Sequence, residues 1–140
     1  MRRVAGLFSV IALLLVGVGC DQDPFGVSNR TIRGEIALHR NSEGGPESKG
    51  SPIFYLVDRA HDASGFGILR GTVGRIGWNT RYILVWQNND GGPPGWMVVD
   101  SEKKTVEGPF DEATVSADPR VQGITPVEAS VAWKKLESAT

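Results

Sequence analysis

The chain has almost no cysteine: Cys20 is the single one in 140 residues. One thiol cannot close an intramolecular disulfide, build a cysteine zinc site or form a thiol redox pair. Small exported domains often use disulfides as staples, so this fold must hold by packing alone. Excess basic charge is also missing, with 15 Lys+Arg against 16 Asp+Glu. Without a basic field, nucleic acid is not an expected partner. No apolar run is long enough for a spanning helix: residues 4–20 fall short of the ~20 needed.

The N-terminus carries the strongest pattern. Arg2 and Arg3 precede an uncharged apolar segment at 4–18, then small Gly19, Cys20 and the polar stretch DQDP. That order reads as an export signal. Gly19-Cys20 resembles the lipobox of bacterial lipoproteins. In that family the cysteine is lipidated, palmitate included, the chain is cut just before it, and the lipid holds the protein on a membrane. Gly17 stands where a leucine-like residue is usual. Gly17-Val18-Gly19 also suits an ordinary signal-peptidase cut, giving a free periplasmic or secreted protein, and an uncleaved anchor is a third option. The resemblance implies a signal peptide at 1–19, a lipidated N-terminus and tether at 20–30, and one globular domain at 31–140. It places the protein at the cell membrane, facing periplasm or exterior. Asp21 after the cysteine resembles an inner-membrane retention signal of two-membrane bacteria. Removing residues 1–19 takes away two arginines and no acid, leaving 13 basic against 16 acidic side chains, a net charge of −3.

Downstream, the pattern is that of short strands. TIRGEIALH (31–39) alternates as a first strand with Gly34 inside it, and IFYLV (53–57) is apolar on both faces, so both are expected to be covered. FGILRGTVGRI (66–76) reads as strand interrupted by glycines. RYILVWQ (81–87), WMVV (96–99) and KTVE (104–107) follow, separated by the loop NNDGGPPG and a tight turn at 100–103. Residues 111–117 suit a short helix stopped by Pro119. Thr125-Pro126-Val127-Glu128 has the form of a capping box opening a C-terminal helix. The expected fold class is α+β, an antiparallel meander of about five or six strands with a C-terminal helix. Val57-Asp58 and Val99-Asp100 end two similar strand–GGP-loop–strand stretches, which hints at a repeated hairpin.

VGRIGWNTRYILVWQ followed by GWMVVDSEKKTVEGPFDEATV, residues 73–115, resembles an uncharacterised family of small bacterial lipoproteins. Its members share a Val-x-x-Ile-Gly-Trp step, a strand ending in Asp, and Gly-Pro-Phe before acidic residues. The resemblance implies export and this hairpin order; it carries no catalytic residue. Asp118-Pro119 departs from the longer charged helix usual after the Gly-Pro step.

Few residues suggest chemistry. Asp58-Arg59-Ala60-His61-Asp62 joins acid and imidazole, a combination usable for general base or metal work; a solvated turn explains it better. His39 reads as an exposed strand-end residue. Ser64-Gly65 lacks the Gly-x-Ser-x-Gly elbow, and Gly71-x-x-Gly74-x-x-Gly77 lacks the Walker ending. Tyr82, Leu84 and Trp86 share a strand face and read as packing. Trp78 and Trp96 each follow a glycine at a strand edge and are the expected exposed pair, possible ligand-stacking residues for sugar or peptidoglycan. No cofactor and no metal site is expected. The leading expectation is a membrane-tethered, non-enzymatic envelope module, held through lipid on Cys20 and binding an envelope protein or cell-wall component. An inhibitor or immunity protein using loops 41–51 and 88–95 is the alternative, and a small hydrolase or metal enzyme built on Asp58, His61 and Asp62 a third.

Overall fold

The computed structural model describes residues 27–41, 51–60 and 67–138. Among these described residues eight strands and two helices follow in order: β1 (Val27–Arg33), β2 (Ile36–Asn41), β3 (Ile53–Asp58), β4 (Val73–Trp78), β5 (Tyr82–Gln87), β6 (Gly95–Asp100), β7 (Thr105–Phe110), α1 (Glu112–Ser116), a 3-10 turn (Pro119–Val121), β8 (Val127–Glu128) and α2 (Ala129–Ser138). The strands form two antiparallel sheets, β1-β2-β3 and β7-β6-β5-β4-β8. The fold is therefore α+β, mostly β, with the C-terminal helix in place.

The five-stranded sheet is covered on both faces, which is why β6 is buried along its whole length. On one face, Ile76, Ile83, Val85, Met97 and Val99 pack against Ile36, Leu38, Phe54 and Leu56 of the other sheet and against Ala132, Trp133 and Leu136 of α2. Leu56 is fully enclosed there, and such burial is worth about 2 kcal/mol per side chain. On the second face, Leu84, Trp96 and Val98 meet Val115 of α1 and Val121 of the 3-10 turn. Val57 is 1% exposed on the opposite side of β3 from Leu56, but Ile53 and Tyr55 on that same side are only half-buried, so the second face is fully covered only at its Val57 end.

Three local expectations are corrected. The single first strand at 31–39 is a hairpin, because Gly34 takes φ +57° and turns the chain, a conformation costly for other residues. The pairing also starts earlier, at Val27↔Asn41. Strand β4 begins at Val73 rather than at 66, since the Gln87 side-chain oxygen accepts from the N–H groups of Arg70 (3.1 Å) and Gly71 (3.3 Å) in place of a strand ladder. The C-terminal helix starts at Ala129 because Val127 and Glu128 pair with Ile76 and Arg75. That ladder outcompetes the capping box at Thr125.

The two similar stretches are alike in detail. Ile36 faces Asp58 in the β2–β3 hairpin, and Tyr82 faces Asp100 in the β5–β6 hairpin. Arg59 N–H donates to the Glu35 carbonyl at 2.9 Å, and Ser101 N–H donates to the Arg81 carbonyl at the same 2.9 Å. Each aspartate accepts from the backbone N–H two residues on, Ala60 at 3.1 Å and Glu102 at 3.0 Å. Each also takes a cation. Lys104 reaches Asp58 at 3.2 Å and so ties the β6–β7 turn to the other sheet, while Arg81 holds Asp100 at 3.0 Å. The buried Asp ends of the strands are thus structural fixtures: Asx turns at the open end of each of these two hairpins, each bound to a cation.

Candidate functional site: a cleft on the outer sheet face

A cleft of about 270 Å³ opens between β4, β6 and the α1-to-β8 segment, with Arg75, Leu84, Trp96, Glu112 and Val115 among its walls. Its residues arrive there for separate local reasons. Between Val73 and Arg75 the β4 register slips by one residue. This bulge sends Val73 into the main core and Arg75 to the opposite face, although strict alternation would put both on one side. Trp96 sits on interior strand β6, edge-on to Trp86 with ring centres 5.4 Å apart. Glu112 opens α1, whose N-cap is Asp111, the side chain of which accepts from Thr114 N–H at 2.8 Å. The bonds from Thr114 hold the Asp111 carboxyl below its usual pKa.

The site chemistry is polar at the rim and apolar below. Trp96 Nε1–H donates to Glu112 Oε2 at 2.6 Å, a short charge-assisted bond. The Arg75 guanidinium carbon lies 5.6 Å from the Trp96 ring centre, and Arg75 Nη2 donates to the Pro126 carbonyl at 3.2 Å. A guanidinium over the ring face and a carboxylate at the ring N–H edge thus meet at one indole, with Leu84 and Val115 also lining the cleft. That arrangement can hold a group that is anionic at one end and donates hydrogen bonds at the other.

The expected exposed pair is not formed. Trp96 is only 3% exposed, because β6 is flanked by β5 and β7 rather than lying at a sheet edge. Trp78 lies on the opposite face of the sheet, half-buried against the main core. Tyr82, Leu84 and Trp86 share a face as expected and pack together. Of the acid–imidazole stretch, Asp58 is 7% exposed and bound to Lys104; His61 and Asp62 lie outside the described residues, as does Cys20. His39 Nδ1 is 2.6 Å from Asn29 Oδ1. Among the described residues no cluster of His, Cys, Asp and Glu could hold a metal ion. Arg75 and Glu112 were not legible as site residues. Their only signals are a lone charge inside an apolar strand and an acid directly after a helix cap.

One loop named in the alternative reading is held in place. The Asp90 carboxylate accepts from Thr72 N–H at 2.8 Å and from the Thr72 hydroxyl. Gln87 Nε2 donates to the Pro93 carbonyl at 2.8 Å. Gly91 lies so close that a Cβ there would sit 1.9 Å from the Arg70 carbonyl. Residues 89, 90, 93 and 94 nevertheless face solvent. Of loop 41–51, residues 42–50 lie outside the described residues.

No protein-family model, curated protein or solved structure matches this chain. Among the described residues no helix is long and apolar enough to cross a membrane.

Proposed function

We propose that this protein is an exported lipoprotein, anchored to a membrane through lipid on Cys20, whose domain is a non-enzymatic binding module of the cell envelope. The observation that carries the reading is the position of the lone cysteine, at the step from an uncharged apolar segment to DQDP. The cleft supports the binding half. Arg75 and Glu112 flank Trp96 with the chemistry of a receptor for an envelope protein or cell-wall component, one presenting a carboxylate beside an amine or amide.

The test is crosslinking in intact cells and capture of the tagged protein, with Cys20→Ser and Arg75→Ala as comparisons. One envelope component should be enriched with wild type, lost with Cys20→Ser and strongly reduced with Arg75→Ala. Enrichment no greater than with Cys20→Ser would overturn the binding role.

The latched 88–95 loop favours a second reading, an inhibitor or immunity protein against an exported hydrolase or toxin. A pre-ordered exposed loop binds without a large ordering cost. In that case Asp90→Ala, which frees the loop, would abolish a stoichiometric complex with the enzyme, and Arg75→Ala would leave it intact.

A further inference from the structure

Helix α2 buries Ala129, Ala132, Trp133 and Leu136. Its outward stripe carries Val131, Lys134 and Lys135, at the i, i+3, i+4 spacing that places them side by side. Val131 is 43% exposed, more than any other large hydrophobic residue described, and both lysines face solvent. Two arginines extend the charge. Arg30 of β1 and Arg40 of β2 lie 4.1 Å and 4.8 Å from the Trp133 ring centre. Arg30 Nη1 also donates to the Trp133 carbonyl at 2.6 Å. The helix thus presents two exposed lysines and one exposed aliphatic side chain, with two half-buried guanidinium groups held against it at Trp133. An interfacial membrane contact has this composition.

The surface sits where the chain leaves the domain. Ser28 pairs with Arg40 and Val27 with Asn41, so Arg40 stands beside the first strand residue. Residues 21–26 separate Cys20 from Val27. Seven residue steps span at most about 25 Å. A lipid on Cys20 would hold this end of the domain within that distance of a bilayer, where attraction to anionic headgroups acts at short range.

We propose that the α2–β1 face, through Lys134, Lys135, Arg30, Arg40 and Val131, docks on the anionic surface of the membrane that carries the anchor; this rests on the lipoprotein reading above. Each basic side chain at an anionic surface strengthens attachment about five-fold. Val131 enters the interfacial layer. The cleft lies on the far side of the five-stranded sheet from α2, so docking fixes an orientation in which Arg75, Trp96 and Glu112 point away from the bilayer. The membrane then acts as a second ligand, and the cleft is displayed to partners in the space beyond.

The test uses the full-length protein purified from its native membrane and reconstituted into two kinds of vesicle, one of neutral lipid and one containing about a third phosphatidylglycerol. Flotation reports anchoring. Labelling by a soluble amine reagent, read by mass spectrometry, reports docking. Lys134 and Lys135 should label at least about five-fold more slowly on anionic than on neutral vesicles, and 1 M salt should remove the difference. Lys103, exposed in the turn that carries Lys104 to the opposite end of the small sheet, should label equally on both. A Val131→Cys variant should show the same protection toward a soluble maleimide, and should lose it when Lys134→Glu and Lys135→Glu are added. Flotation with equal labelling on both vesicles would overturn the docking and leave the anchor standing. Failure to float on either would remove the anchor and the docking with it.

Discussion

Replacing Trp96 by phenylalanine probes the cleft at its centre. The indole is 3% exposed and its Nε1–H donates to Glu112 Oε2 at 2.6 Å. A hydrogen bond to a charged acceptor nets 1.5–3 kcal/mol when buried, but Glu112 is on the surface, so about 1 kcal/mol applies here. The smaller ring leaves a void beside Leu84 and Val98 that costs about 1 kcal/mol more. The expected loss is about 2 kcal/mol, or roughly 8 °C in Tm for a domain of this size. Urea unfolding of Trp96→Phe, Glu112→Ala and the double variant separates the two parts. The cycle should show a coupling of about 1 kcal/mol between the sites. Additive effects, with coupling under about 0.3 kcal/mol, would refute the bond and remove Glu112 as a wall of the cleft.

Gly91→Ala should destabilise by about 2 kcal/mol or more, since the new Cβ meets the Arg70 carbonyl at 1.9 Å, an overpacking that backbone cannot readily relieve; a thermal melt checks this. Lys104 has φ +57°, so Lys104→Asn keeps a residue that tolerates the turn while removing the cation from Asp58. It should cost about 1–3 kcal/mol in urea. Hydrogen bonding from Arg81 lowers the Asp100 carboxyl from 3.8 to about 2, and bonds from Arg120 lower that of Asp118. Folded values below unfolded ones mean stability that is fully present above about pH 4 and lost as pH falls toward 2. The urea midpoint should therefore hold from pH 7 to 5 and drop between 4 and 2, and Asp100→Asn should flatten that drop.

The sequence made the middle of the fold legible because local signals there agree with the tertiary arrangement. Residues 82–87 and 95–100 are near-continuous apolar runs separated by a Gly/Pro loop, and they became paired, doubly covered strands. The misses fall where a distant partner decides. Gly34 looked like an irregularity in one strand and is the turn of a hairpin. Thr125 looked like a helix cap, but Val127 and Glu128 found β4 first. Trp96 looked exposed because a glycine precedes it; burial came from β7 beside it, which pairs through Trp96↔Phe110 across a bulge, and from Val115 and Val121 packed over the same face. The cleft was illegible for the same reason. Arg75, Trp96 and Glu112 are far apart along the chain, and only a β4 bulge and the placement of α1 bring them together. The similarity of the two hairpins could be glimpsed in sequence, whereas the role of Asp58 and Asp100 as cation-bound turn residues needed their partners.

The central proposal, a lipid-anchored module, is tested most directly by the intact mass of the mature protein from its native membrane fraction. A polypeptide beginning at Cys20 and carrying the added mass of acyl chains is the predicted result, with Cys20→Ser found unprocessed. A soluble protein whose N-terminus begins at another residue, or a membrane-bound one still beginning at Met1 without lipid, would contradict it.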